Sequence, residues 1–157
     1  MKKDLLFEVG LKAVIRNKDG DFLLLKRSNP YISDIDNGDT KKLRWDLPGG
    51  RVESGENIQN ALKREVKEET NLDVTKTIRI LDVHESFYHK GFHTVRIYFE
   101  VITKGTVKVS EEHCEAQWYN REEIIKLSKQ DVVERSTAKL FAEIAPPFAE
   151  ASEGKQW

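Results

Sequence analysis

The feature that most constrains the fold of this chain is a segment of fixed spacing from Gly50 to Leu72, GRVESGENIQNALKREVKEETNL. Its second part, Asn57 to Thr70, contains neither Gly nor Pro, and aliphatic residues recur there every four positions: Ile58, Leu62 and Val66. This spacing places them on one stripe of an amphipathic helix. The sequence therefore predicts a helix that begins after Gly55 and Glu56. It ends at Asn71, a residue that tolerates a left-handed backbone conformation.

The predicted helix carries more negative charge on one side than a surface helix needs. Glu65, Glu68 and Glu69 are spaced i, i+3 and i+4, so their carboxylates lie within a single turn. Their position near the helix C-terminus opposes the helix dipole by about 0.3–1 kcal/mol each, and their mutual repulsion adds to that cost. One interpretation is a solvated face neutralised by neighbouring cations: Lys63, Arg64 and Lys67. The other is a bound divalent cation, which offsets the same repulsion.

A rigid turn before the helix favours the bound cation. The stretch Trp45 to Gly50, WDLPGG, combines a proline with two glycines and can bring backbone carbonyl and amide groups close to a ligand. A solvated helix face needs no such turn. Because an all-oxygen ligand set suits hard cations, the sequence predicts Mg²⁺ or Mn²⁺ rather than zinc.

The spacing of these residues also carries a family resemblance. The pattern is Gly50, five residues, Glu56, seven residues, Arg64-Glu65-Val66, one residue, Glu68-Glu69, one residue and Asn71-Leu72. It resembles the Nudix box of the MutT-like Nudix hydrolases at every defining position but one, where Asn71 replaces a glycine. The resemblance implies the fold of that family, an α/β/α sandwich with a mixed β-sheet and a loop-helix motif. It also implies Mg-dependent hydrolysis of the diphosphate linkage in a nucleoside diphosphate joined to another group, by attack of water at phosphorus.

The resemblance further implies roles for individual residues. Glu65 is expected to bind metal and to position or deprotonate the attacking water, while Arg64 orients a glutamate through an ion pair. The catalytic residues expected on this basis are Glu56, Arg64, Glu65 and Glu68. The expected metal ligands are the Gly50 carbonyl and the carboxylates of Glu65, Glu68, Glu69 and Glu112, with Glu115 as the alternative to Glu112.

Length and composition suit one α/β domain. The 157 residues carry a net charge of -1 and suffice for one hydrophobic core, which we expect in residues 1–145, followed by a polar tail over 146–157. The near-neutral charge gives no sign of a nucleic-acid partner. The single cysteine, Cys114, cannot form an internal disulfide, and no apolar run is long enough for a signal peptide or a membrane span. We therefore expect a cytoplasmic protein without a membrane partner.

The segments outside the box predict strands and two further helices. Asp19-Gly20 indicates a hairpin between two aliphatic runs, Gly10 to Arg16 and Phe22 to Lys26. Phe92 to Thr103 alternates with period two and is the clearest later strand. The helices are expected over Arg121 to Ser128 and Asp131 to Ile144.

Substrate contacts are expected from basic residues near these strands: Lys26, Arg27 and Arg51. Lys26 and Arg27 end a strand, where they either meet a substrate phosphate or are solvated. The long polar stretch Ser28 to Arg44 predicts a flexible lid or a substrate-selecting loop without structure of its own. Phe87 and Tyr88 fall in a predicted hairpin connection, where they stack on a base or anchor the loop.

Two other functions fit the same segment. An RNA 5′-pyrophosphohydrolase or decapping-type enzyme would use the same box, although the chain has no obvious basic appendage for RNA. A noncatalytic module would bind nucleotides or a partner protein without needing the full acidic set. The expected partner is therefore a small nucleotide or nucleoside diphosphate derivative, and the resemblance is compatible with a homodimer.

Overall fold

The computed structural model describes residues 6–88 and 91–144. Its elements in chain order are β1 (Leu6–Ile15), β2 (Phe22–Arg27), α1 (Ile32–Asp36), β3 (Trp45–Asp46), β4 (Gly49–Arg51), α2 (Ile58–Thr70), β5 (Asp73–Tyr88), β6 (Phe92–Lys104), β7 (His113–Tyr119), α3 (Arg121–Lys129) and α4 (Arg135–Glu143). None of the helices in this part of the chain has the length and apolar character needed to cross a membrane.

The strands form two sheets, and the larger one is mixed. It has the order β4-β1-β6-β5, in which β1 and β6 run parallel and the other neighbours are antiparallel. The smaller sheet, β3-β2-β7, is antiparallel. Helix α2 packs into one hydrophobic core, and helices α3 and α4 pack into a second one. The structure thus confirms the predicted α/β fold with a mixed sheet between helices.

Strand β2 contributes to both cores because its two faces are apolar. Leu23 and Leu25 pack in the core that contains α2, whereas Phe22 and Leu24 pack in the core that contains α3 and α4. All four side chains are at most 3% exposed. A strand buried on two faces is typical of a central position between layers.

The predicted hairpin between β1 and β2 is correct in its turn and wrong in its pairing. The Asn17 amide donates to the Asp21 carbonyl at 2.9 Å, and Gly20 has a φ of 86°. Beyond the turn only Arg16 and Phe22 form a bridge, after which the strands enter different sheets. The pattern indicates a local turn, but the two-sided burial of β2 requires it to leave β1.

The stretch 28–44 has more structure than the sequence predicts. It contains α1, and the buried Arg44 donates from Nε and Nη2 to the two carboxylate oxygens of Asp34, each at 2.7 Å. Arg44 Nη1 also donates to Asp131 Oδ1 at 2.9 Å. The Arg44 guanidinium holds the pKa of Asp34 below its ordinary value. Arg44 therefore holds α1 through a buried ion pair and attaches the stretch to the residues that precede α4 through Asp131.

Two other predicted boundaries differ from the structure. The last helix begins at Arg135 instead of Asp131, because Val132 to Glu134 hydrogen-bonds to Trp45 in an extended conformation. Strand β5 continues to Tyr88, so Phe87 lies in a strand and stacks on His93 with ring centroids 4.4 Å apart. The predicted connection at His89-Lys90 and the predicted tail over 146–157 lie outside the described residues.

The predicted end of α2 is confirmed. Asn71 adopts the left-handed conformation with φ 63°, and its amide donates to the Lys67 carbonyl at 2.9 Å. Its side chain also donates from Nδ2 to the Thr106 carbonyl at 3.3 Å. The residue therefore combines the backbone conformation of a glycine with a contact that a glycine cannot make.

Substitutions at Asn71 should separate these two contributions. We expect Asn71→Gly to match or slightly exceed the native stability, because relief of the left-handed conformation offsets the lost side-chain hydrogen bond. Asn71→Ala should lower the free energy of unfolding by about 1–2 kcal/mol. Alanine is strained in the left-handed conformation and cannot make the side-chain hydrogen bond to Thr106. Urea denaturation of the three proteins measures this, and an alanine variant as stable as the native protein would contradict it.

Candidate metal and nucleotide site

A glycine turn joins α2 to the larger sheet without room for side chains. A Cβ atom on Gly49, whose φ is 146°, would lie 1.9 Å from the carbonyl oxygen of Leu11 on the paired strand β1. A Cβ atom on Gly50 would lie 2.4 Å from Cδ of Glu65 on α2. The clash at Gly49 is with backbone, so that position needs glycine, whereas a side chain at Gly50 would displace the Glu65 carboxylate. The turn thereby places backbone against the carboxylate of Glu65.

Three glutamates of α2 face this turn at different depths. The side chains of Glu65 and Glu69 are 15% and 11% exposed, whereas that of Glu68 is 58% exposed. The Gly49 amide donates to Glu69 Oε2 at 2.8 Å. The structure therefore brings together the predicted ligands Gly50, Glu65, Glu68 and Glu69 at the start of β4.

Arg64 holds the acidic residues in place. Its Nε and Nη2 donate to the two oxygens of Glu56 at 2.8 and 2.9 Å, a bidentate pair. Its Nη1 donates to Glu65 Oε1 at 2.8 Å and to Glu68 Oε2 at 3.3 Å. Hydrogen bonds from Arg64 lower the pKa of Glu56. Arg64 and Glu56 thus fix the orientation of Glu65, in the positions that the sequence predicts.

Burial disfavours the ionised forms of the two less exposed carboxylates, those of Glu65 and Glu69. It raises the pKa of Glu69 from 4.5 to about 7, against the lowering effect of Lys12 and the Gly49 amide. Burial also raises the pKa of Glu65, although Arg64 acts in the opposite direction. His113 lies beside Glu69, with Nε2 4.0 Å from Oε1, but burial lowers its pKa to about 4, so it is neutral at pH 7.

Glu112 and Glu115 occupy different surroundings. The charge of Glu112 contributes to the raised pKa of Glu65, which places Glu112 within electrostatic reach of the acidic residues. Glu115 lies on β7 and accepts a hydrogen bond from Lys26 Nζ at 3.2 Å. The charge acting on Glu65 is that of Glu112, whereas Glu115 is paired with Lys26, which favours Glu112 as the additional acidic residue.

A cavity of about 330 Å³ adjoins the glycine turn. Gly49 and Gly50 form part of its wall, together with residues of β1, β6 and the stretch after β2. Two of the predicted substrate residues line it: Arg27 and Arg51. Arg27 lies over the ring of Tyr31 at 4.5 Å, and Arg51 pairs with Glu8 at 3.2 Å. The third predicted residue, Lys26, instead pairs with Glu115 and lies over the Trp45 ring.

Sequence reasoning missed a buried polar network at the back of this cavity. Asp46 Oδ2 accepts hydrogen bonds from Lys12 Nζ at 2.5 Å and from the Tyr31 hydroxyl at 2.8 Å, and Thr137 Oγ1 donates to Asp46 Oδ1 at 2.6 Å. Burial favours the neutral form of Asp46, but Lys12 and its other partners outweigh burial and lower its pKa. Burial and the charge of Asp46 raise the pKa of Tyr31 well above 10. The available signal was Lys12, a charge inside the aliphatic run GLKAVIR.

The donor atoms fit a hard divalent cation. The inner acidic residues contribute oxygen only, and a buried carboxylate with a raised pKa gains from a nearby positive charge. Lys12 and Arg64 are the neighbouring cations that act on Glu69 and Glu65, and burial outweighs them at both. Magnesium or manganese would therefore find a matching set of ligands here.

Comparisons with known proteins agree with this arrangement. A family model described as the NUDIX domain matches residues 6–141. The 8-oxo-dGDP phosphatase NUDT18 of Danio rerio is 30% identical over 138 residues, which cover 85% of this chain and 38% of that protein. The ADP-ribose pyrophosphatase of Methanocaldococcus jannaschii is 34% identical over 118 residues, covering 73% of this chain and 63% of that protein. The chain thus spans less than two thirds of the length of either relative.

A solved structure shows the same likeness over most of both chains. The MutT protein from Methanosarcina mazei Go1 is 29% identical, with a TM-score of 0.72, and the match covers 90% of this chain and 94% of that one. The two chains therefore share the same fold over most of their length.

The stability of the metal-free protein should depend on pH through Glu69. Its pKa is about 7 in the folded protein and 4.5 ordinarily, so the folded state retains a proton between these values that the unfolded state has released. Stability is therefore highest below pH 4.5 for this group and declines as pH rises to 7, by about 3 kcal/mol. His113 acts in the opposite sense below pH 6.5, because its pKa is lowered.

A Glu69→Gln variant isolates the contribution of Glu69, since His113 is present in both proteins. We expect the variant to gain stability over the native protein as pH rises from 5 to 8 in the presence of EDTA. Urea denaturation at each pH measures the difference. A difference that stays constant across this range would show that Glu69 ionises normally.

Proposed function

Since the chain belongs to the NUDIX family, we propose that it is a pyrophosphohydrolase that cleaves the diphosphate linkage of a nucleoside diphosphate derivative with Mg²⁺ or Mn²⁺. One observation carries this proposal. Gly49 and Gly50 form a wall of the cavity, and the same residues contact the carboxylates of Glu69 and Glu65. A ligand in the cavity therefore lies next to the acidic residues, as a nucleoside must when its diphosphate reaches the metal.

The acidic residues have the composition that such a reaction requires. A bound metal ion neutralises the charge of the diphosphate and lowers the pKa of an attacking water. In this chain Gly50, Glu65, Glu68 and Glu69 would hold the metal, with Glu112 as a further ligand. Arg64, fixed by Glu56, keeps Glu65 oriented so that it can bind metal or accept a proton from water.

The cavity supports a nucleotide substrate. Its volume of about 330 Å³ lies within the range of small-molecule sites, about 300–1,000 Å³. Arg27, Arg51 and Arg96 line it and offer positive charge, while Glu8 offers hydrogen-bond acceptors. The two curated relatives are named for 8-oxo-dGDP and ADP-ribose, both nucleoside diphosphate derivatives. A free nucleotide of this class is thus the substrate we propose.

Charge-removing substitutions should abolish turnover without unfolding the protein. We expect Glu65→Gln and Glu69→Gln to lower kcat by roughly 100-fold or more in the presence of Mg²⁺. Glu53→Gln, at an exposed position of the same loop, should leave kcat within about twofold. Phosphate release from a panel of nucleoside diphosphate derivatives and nucleoside triphosphates measures this effect, and thermal denaturation verifies the fold.

The same panel includes 5′-triphosphorylated RNA, because the alternatives predict different results. Preferential turnover of the RNA would identify an RNA 5′-pyrophosphohydrolase. Nucleotide binding without turnover of any substrate would identify a noncatalytic module. Undiminished Mg-dependent turnover in the Glu65 and Glu69 variants would refute the assignment of the metal ligands.

Glu112 and Glu115 provide a matched pair of substitutions. Glu112→Gln should lower kcat or raise the Mg²⁺ concentration needed for half-maximal rate, by about tenfold, because Glu112 acts on Glu65. Glu115→Gln should change neither, because its partner is Lys26. Steady-state kinetics at varied Mg²⁺ measure both. The reverse ranking would assign the further ligand to Glu115.

A further inference from the structure

A second group of potential metal ligands lies apart from the glycine turn. Asp82 and His84 are on β5, and Glu143 is the last residue of α4. Each offers one ligand atom, and these three atoms all lie within 4.8 Å of one another. Atoms that share one metal ion lie at most about 4 Å apart, because each lies about 2 Å from the metal. A small movement of the exposed Glu143 side chain would therefore bring the three atoms around a single ion.

The histidine of this group is buried but only partly satisfied. The His84 side chain is 9% exposed, and its Nε2 lies 2.9 Å from Asp82 Oδ2. Its Nδ1 is buried without a hydrogen-bond partner among the described residues. The ring is held by edge contact with Tyr98, whose centroid is 4.9 Å away. A buried imidazole with an unused nitrogen has ligand capacity that the protein does not fill.

The two carboxylates also lack a strong cationic partner in the described part of the chain. Asp82 Oδ1 accepts a hydrogen bond from the Val83 amide at 2.8 Å, which leaves Oδ2 directed to His84. Glu143 pairs with Lys139 at 4.0 Å, and both of these side chains are more than half exposed. Two carboxylates that approach one imidazole repel each other unless a positive charge lies between them.

We propose that Asp82, His84 and Glu143 form a second metal site that binds a transition metal, with Zn²⁺ as the best match. One imidazole nitrogen with two carboxylate oxygens is a ligand set that zinc accepts in tetrahedral geometry, whereas magnesium prefers oxygen alone. Three protein ligands leave a fourth position for water. The ion would fasten the end of α4 to the edge strand β5 of the larger sheet. This site does not depend on the proposed reaction.

Zinc titration of the full chain tests the proposal when the acidic residues of the box are removed. In a Glu65→Gln, Glu68→Gln, Glu69→Gln background, isothermal titration calorimetry with ZnCl₂ at pH 7 should show one zinc ion per chain, and MgCl₂ should produce no comparable binding. Zinc should also raise the Tm of this protein, because an ion that binds only the folded state stabilises it. Absence of a one-to-one zinc complex would refute the site.

Three substitutions in the same background assign the ligands. His84→Asn should abolish zinc binding, and Glu143→Gln should weaken it at least tenfold and remove the Tm increase. His93→Asn is the matched control, because His93 pairs with the single carboxylate of Glu85 at 2.6 Å on the same sheet. It should leave zinc affinity unchanged. Because Glu143 is exposed, its variant decides the question even if the His84 variant fails to fold.

Equal zinc affinity in the Glu143→Gln variant and its background would overturn the proposal, as would a loss in the His93 variant equal to that in the His84 variant. In those cases His84 makes only its hydrogen bond with Asp82, and zinc binds elsewhere.

Discussion

The site depends on the close approach of two backbones where β4 meets β1. Gly49 lies against the Leu11 carbonyl, with no space for a side chain, and Gly50 lies against the carboxylate of Glu65. One contact aligns the turn with the sheet, and the other aligns α2 with the turn. Because strand, turn and helix meet here, the acidic residues and the cavity share a wall. A larger residue at Gly49 would push the turn away from β1, and one at Gly50 would displace the Glu65 carboxylate.

Burial of the ionised carboxylates of Glu65 and Glu69 lowers the stability of the folded protein. Glu69 and Glu65 are buried deeply enough that burial raises the pKa of each, even though Lys12 and Arg64 lie nearby. Arg64 is committed to Glu56 through a bidentate contact, and Lys12 is committed to Asp46. Arg64 thus orients Glu65 through an ion pair, while Lys12, which is held by Asp46, acts on Glu69 through its charge. A cation bound here would favour the ionised form of both carboxylates.

Features that follow from local chemistry could be predicted from the sequence. The helix α2 and its left-handed end at Asn71 depend on spacing within one segment. The resemblance implied an ion pair between Arg64 and a glutamate, and the structure adds the contact with Glu56 to the one with Glu65. The Asp46–Lys12 contact could not be predicted, because it joins residues 34 positions apart. The separation of β1 from β2 could not be predicted either, because it depends on the packing of the two faces of β2 in different cores. The stretch 28–44 was misjudged for the same reason, since Arg44 is satisfied partly by Asp131.

In the stretch 28–44, different residues hold the segment in place and line the cavity. Arg44 pairs with Asp34 inside the stretch and attaches it to Asp131, whereas Ile32 and Ser33 line the cavity. Arg44 is 3% exposed and Ile32 is 60% exposed. The cavity wall at Ile32 can therefore change in size or polarity while the attachment stays intact. Positions that shape the cavity and positions that hold the stretch in place are neighbours in the chain, but they are separate residues.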